Sequence, residues 1–168
     1  MVKNVKSIFV VLMFGSFISF SFNEEKVFNE KLTCGESAPE LVLHDATQNL
    51  NLQSGNNEYT LLSFWATYDA TSRKRNAELS NMIGNKNAQV KMISVSFDQY
   101  RSIYDATIRQ DKLNTENSFL EMEGENSAVF KSFNLKNGFK NYLLDNNGRI
   151  VAVNIDNEQL SAFLADKI

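Results

Sequence analysis

A chain of 168 residues with a net charge of -3, one cysteine and one histidine leaves little room for several kinds of chemistry. A single cysteine excludes an intramolecular disulfide, an internal dithiol cycle and a multi-cysteine metal site, and a single histidine excludes a histidine cluster. The mild acidity offers no basic face for nucleic acid, and 43% hydrophobic with 22% charged residues is the mix of one soluble globular domain.

Residues 1–22 read as an export signal, cleaved or kept as an anchor. Lys3 and Lys6 precede the apolar run Ser7 to Phe22, which Asn23, Glu24 and Glu25 end sharply. The run is slightly short for a membrane span. Residues 23–36 form a polar linker that carries Cys34, and the folded domain covers 37–168. After the only proline, Pro39, Leu41 to Leu43 suggests a short strand. His44, just beyond it, reads as a loop or packing residue. Asn56 and Asn57 make a turn into Tyr59–Trp65, whose length and aromatic content predict a buried strand.

Asp69 opens a helical stretch in which Ala77, Leu79, Met82 and Ile83 share a face. Arg73, Lys74 and Arg75 read as solvated, and Gly84 reads as the stop. A second strand is expected from Val90 to Val95. Tyr100 to Gln110 reads as a helix with Ile103, Tyr104, Thr107 and Ile108 inward. Phe119 to Met122 suggests a short strand and Ala128 to Phe133 a short helix. Tyr142 to Leu144 and Ile150 to Val153 flank Asp145-Asn-Asn-Gly148, a strong hairpin signal. A last helix spans Glu158 to Lys167, with Leu160, Phe163 and Leu164 as its apolar stripe. Strands alternating with helices and closed by a hairpin predict an α/β fold, with a central mixed sheet flanked by helices.

Three segments carry a resemblance. Gly35-Glu-Ser-Ala-Pro39-Glu-Leu-Val-Leu43 is similar to an opening G-x-x-A-P-x-F-x-L. Leu61-Leu-Ser-Phe-Trp-Ala-Thr-Tyr-Asp-Ala-Thr-Ser-Arg73 is similar to L-x-x-F-W-A-x-W-C-x-x-C-R. Phe133-Asn-Leu-Lys-Asn-Gly-Phe139, with Leu143-Leu-Asp-Asn-Asn-Gly148, is similar to Y-x-V-x-x-x-P-x-x-F-L-I-D-x-x-G. Together they resemble the thioredoxin-like superfamily. The branch is that of the alkyl hydroperoxide reductase/thiol-specific antioxidant proteins and the exported TlpA/ResA-type thiol–disulfide oxidoreductases. The resemblance implies a three-layer thioredoxin-like fold over residues 35–168 and, by family, redox homeostasis in the periplasm.

The same match places the family's first cysteine on Asp69 and its second on Ser72. The cis-proline falls on Phe139, or on Lys140 if the spacing slips by one. The framing residues Phe64, Trp65, Ala66 and Arg73 remain. A dithiol enzyme attacks with a thiolate held at a helix N-terminus and resolves with a second thiol. A carboxylate at position 69 cannot form a mixed disulfide, and Ser72 has no histidine near it in sequence. Asp69 then reads as a helix N-cap, and Phe139 as a filler of the old groove or an apolar contact.

The resulting expectation is a redox-inactive module that binds a protein or peptide through Trp65, Tyr68, Asp69, Phe139 and Lys140, with no catalytic residue, cofactor or metal. A membrane contact is expected only through an uncleaved N-terminal segment. Two alternatives stay open: a single-thiol enzyme using Cys34 with an external thiol, and a structural domain without a site of its own.

Overall fold

A computed structural model describes residues 31–43, 50, 52, 58–86 and 89–166. The expected export signal, His44 and the turn at Asn56 and Asn57 lie outside the described residues. Five strands form one sheet: β1 (Tyr59–Trp65), β2 (Val90–Ser96), β3 (Ser118–Leu120), β4 (Asn141–Asp145) and β5 (Ile150–Val153). Their spatial order is β3-β2-β1-β4-β5. The first three run parallel, while β4 is antiparallel to β1 and β5 to β4. Helices α1 (Ala70–Lys86), α2 (Arg101–Asp111), α3 (Ala128–Ser132) and α4 (Asn157–Ala165) connect and follow them. This is the central mixed sheet flanked by helices that the element order predicts, in the thioredoxin-like arrangement that the resemblance implies.

Side chains of a strand alternate between faces, and β1 serves two cores in this way. Leu61 packs with Leu79 and Ile83 of α1 and with Leu160 and Leu164 of α4. Leu62 and Phe64 pack with Ile93, Val95, Phe130, Phe133 and Tyr142. All of these but Ile83 and Phe130 are less than 5% exposed. Each such side chain contributes roughly 1.5–3 kcal/mol on leaving water, so β1 is the strand the fold can least spare. The hairpin forms as expected: the Asp145 carboxylate accepts the Asn147 and Arg149 N–H groups at 2.8 and 2.9 Å. Gly148 takes φ 76°, a region open to glycine at little cost.

Several expectations are corrected. Leu41 to Leu43 is no strand: Leu41 makes one isolated bridge to Leu50. Leu41 and Leu43 still point inward and Val42 outward, so the alternation survives without a ladder. Gly84 does not stop α1, which runs on to Lys86; its φ is not positive, and a helix tolerates such a glycine for about 1 kcal/mol. Arg73 is half-buried and paired rather than freely solvated. Its guanidinium bonds both oxygens of Asp111 at 2.7 and 2.8 Å and ties α1 to α2. Ile103 faces outward, 43% exposed, while Tyr104, Thr107 and Ile108 are buried. The third strand is Ser118–Leu120, which leaves Met122 exposed beyond it. The last helix begins at Asn157, where Asp156 and Gln159 close a reciprocal capping box.

Gly35 and Glu36 are already fastened to the sheet. Gly35 N–H donates to the Ile150 carbonyl, and Ile150 N–H donates to that of Glu36, both at 2.8 Å. Among the described residues no helix is long and apolar enough to cross a membrane.

Candidate functional site

Four chain segments meet at the end of the sheet where the parallel strands finish. Strand β1 runs into Ala66–Asp69, β2 into Phe97–Tyr100 and β3 into Glu121–Gly124, while Gly138–Lys140 leads into β4. Backbone bonds hold them side by side. Phe97 N–H donates to the Trp65 carbonyl at 2.9 Å, Glu121 N–H to that of Ser96 at 2.8 Å, and Phe64 N–H to that of Lys140 at 3.0 Å.

Asp69 sits at the start of α1. One of its carboxylate oxygens accepts the Ser72 N–H at 2.8 Å, and its carbonyl accepts the Arg73 N–H at 3.0 Å. The unsatisfied donors and positive dipole end of a helix stabilise an anion there; here the chain supplies that anion itself. Ser72 is 5% exposed, and its hydroxyl donates back to the Asp69 carbonyl at 3.2 Å. That hydroxyl is committed locally and is not set against a base.

Behind the turn lies a buried carboxylate that the sequence pattern did not single out. Asp98 is 2% exposed. It accepts the Thr67 N–H at 2.9 Å, the Thr67 hydroxyl at 2.7 Å and the Ser96 hydroxyl at 2.7 Å. Because Thr67 gives its proton to Asp98, the Thr107 hydroxyl 3.0 Å away donates to Thr67. Asp98 thus fixes the residue directly before Tyr68. The one available signal was an aspartate placed just past the end of a buried strand.

Phe139 fills space. Its ring stacks on Phe97 with centroids 5.6 Å apart and an interplanar angle of 22°. It meets Phe130 edge-on at 6.4 Å and Tyr68 at 6.2 Å, arrangements that aromatic pairs favour. Gly138, at φ 108°, turns the chain into this position. The described residues contain no cis peptide bond. Lys140 reaches away from the turn: its ammonium donates to the Asn134 carbonyl at 3.3 Å. Burial lowers its pKa, with Lys31 adding to the effect.

Trp65 was expected on the binding surface and is not there. It is fully buried, with its indole N–H on the Ser94 hydroxyl at 2.8 Å and its ring against Tyr104 and Ile108. The large apolar side chains exposed at this end are Tyr68, 72% exposed, with Tyr100, Ile103 and Met122 from the neighbouring segments. Burial raises the Tyr68 pKa, and Asp98, Glu125 and Asp69 raise it further.

Cys34 is exposed and lies apart from this end. Its thiol donates to the Val151 carbonyl of β5 at 3.5 Å, and β4 separates β5 from β1. Among the described residues no three histidine, cysteine or carboxylate side chains gather to hold a metal ion.

No family model matches the sequence, and no curated protein does. Solved structures do. A thioredoxin-like protein from Parabacteroides distasonis shares 35% identity at a TM-score of 0.72, covering 80% of this chain and 96% of that one. A thiol-disulfide oxidoreductase from Bacteroides fragilis shares 28% at 0.65, covering 79% and 100%. A thiol:disulfide interchange protein from a Bacteroides species shares 22% at 0.65, covering 80% and 90%, a likeness of fold. With its mixed sheet, its capped helix at the end of β1 and these neighbours, the chain belongs to the thioredoxin-like superfamily, beside the TlpA-type thiol–disulfide oxidoreductases.

Proposed function

We propose that this protein is an exported, redox-inactive relative of the thiol–disulfide oxidoreductases that binds a protein or peptide at the end of its sheet, around Tyr68, Asp69 and Phe139. One observation carries the reading. The helix end where a thiolate would have to sit is occupied by the Asp69 carboxylate, already bonded to the Ser72 N–H. The chain has one cysteine, and it lies at the far strand.

Attack on a disulfide needs a thiolate, and resolution needs a second thiol. Cys34 has no second thiol in the chain to resolve with. The alternative of a single-thiol enzyme therefore has only the exposure of Cys34 in its favour. What the end of the sheet does offer is a set of exposed apolar side chains on a rigid frame, with Tyr68 held through Thr67 by the buried Asp98. Large amphipathic side chains of this kind anchor protein interfaces. Export rests on Lys3, Lys6 and the apolar run Ser7 to Phe22.

The test is a partner recovered by pull-down, followed by titration of Tyr68→Ala and Tyr100→Ala, both exposed positions where the fold should survive. Both variants are expected to weaken the partner about tenfold or more, since interface tyrosines are common hot spots. A folded double variant that binds as the parent does would remove this end of the sheet as the site.

A further inference from the structure

Two asparagines of the chain are followed directly by glycine: Asn137-Gly138, ahead of β4, and Asn147-Gly148, in the hairpin. Both asparagines are exposed. Asparagine is among the thermolabile side chains, and its weakness is an intramolecular acyl transfer. The amide nitrogen of the next residue, once hydroxide has taken its proton, attacks the side-chain carbonyl carbon. A C–N bond forms, the bond to the side-chain nitrogen breaks, and ammonia leaves. Water then opens the cyclic imide at one of its two carbonyls. One opening gives aspartate. The other gives isoaspartate, in which the main chain runs through the side-chain carbon. A glycine in the next position has no Cβ to obstruct the attack and has the backbone freedom to reach it.

The fold treats the two pairs differently. Gly148 is buried. Its N–H donates to the Asp145 carbonyl at 3.0 Å, and its carbonyl accepts the Ala38 N–H at 2.9 Å. On either side of it, the Asn147 and Arg149 N–H groups are held on the Asp145 carboxylate at 2.8 and 2.9 Å. Ring closure at Asn147 has to take this turn apart. Lys136, Asn137 and Gly138 are instead consecutive exposed residues at the end of the short 3-10 turn Leu135–Asn137. There the Gly138 N–H donates to the Leu135 carbonyl at 2.9 Å, the bond that attack has to break.

We propose that Asn137 is a site of spontaneous covalent modification, converted through a cyclic imide with Gly138 to aspartate and isoaspartate, while the hairpin protects Asn147. The conversion consumes water, releases ammonia and involves no oxidant or reductant. It puts a carboxylate where a neutral amide stood, and isoaspartate adds a carbon to the main chain. The lengthened segment leads straight to Phe139, whose ring stacks on Phe97, and to the Lys140 carbonyl that accepts the Phe64 N–H.

The experiment holds the purified protein in warm, mildly alkaline buffer, with Asn137→Gln and Asn147→Gln beside it. Samples taken over time are separated by ion exchange and mapped by mass spectrometry with isoaspartate-specific fragmentation. The folded parent is expected to gain an acidic species that maps to residue 137 as a mixture of both products. Asn137→Gln should lack it, and Asn147→Gln should form it as the parent does. Conversion at Asn147 should be about tenfold slower or more, because several hydrogen bonds must open before attack. In urea, where the fold no longer separates the two pairs, their rates should converge. Conversion at Asn147 as fast as at Asn137 in the folded protein overturns the proposal. So does an Asn137 that stays intact in the folded protein while it converts in urea, or a rate difference that persists unchanged in urea.

Discussion

The Asp69 carboxylate accepts the Ser72 backbone N–H at 2.8 Å, so α1 is capped by the side chain of the residue just ahead of it. That bond places a carboxylate acceptor at the helix end. It also makes Asp69 a structural residue. Asp69→Ala is expected to lower stability by about 1 kcal/mol, whereas Asp69→Asn, which retains the acceptor, costs less than half of that. Urea denaturation of the two variants checks this. Equal losses would mean that the charge, not the acceptor, is what the helix end uses.

Asp98 holds the turn from behind. Three donors converge on its carboxylate: two hydroxyls and one N–H. Asp98→Asn would replace one accepting oxygen by an NH2 group facing hydroxyl protons. The expected loss is about 1.5–3 kcal/mol, the range for buried hydrogen bonds to charged groups. The change should also blunt partner binding through Tyr68, measured by the same titrations as the Tyr68 variants. A variant as stable as the parent would show that the hydroxyls rotate to other acceptors.

Two tyrosines make stability fall at high pH. Burial pushes the Tyr104 phenol up to about 12, with Asp105 adding to it, and burial alone does the same for Tyr142. In the unfolded chain both ionise near pH 10. The folded protein then keeps protons that the unfolded chain releases, so stability is intact below about pH 10 and declines as pH rises toward 12. Ultraviolet titration of the five tyrosines should show two late steps. Five ionisations together near pH 10 would contradict the burial assigned to these rings.

What could be read in the sequence was local. Tyr59–Trp65 announces a buried strand because its apolar run is self-contained, and Asp145 to Gly148 announces its turn because the geometry is built from those four residues. Asp69 reads as a cap because its partner is three residues away. Long-range partners are not written in spacing. Arg73 looked solvated beside Lys74 and Arg75, and its carboxylate, Asp111, is 38 residues on. Trp65 looked like part of the surface because it adjoins the turn, but strand alternation sends it inward, onto Ser94. Asp98 gave little sign of its role, since Thr67 and Thr107 meet it only through the fold.

The central claim is the absence of thiol chemistry. The direct measurement is disulfide reductase and peroxidase turnover of the purified protein with an external thiol, beside its Cys34→Ser variant. The expected result is no turnover above the uncatalysed rate in either protein. Turnover in the parent that disappears in Cys34→Ser would contradict the account and make Cys34 the catalytic residue.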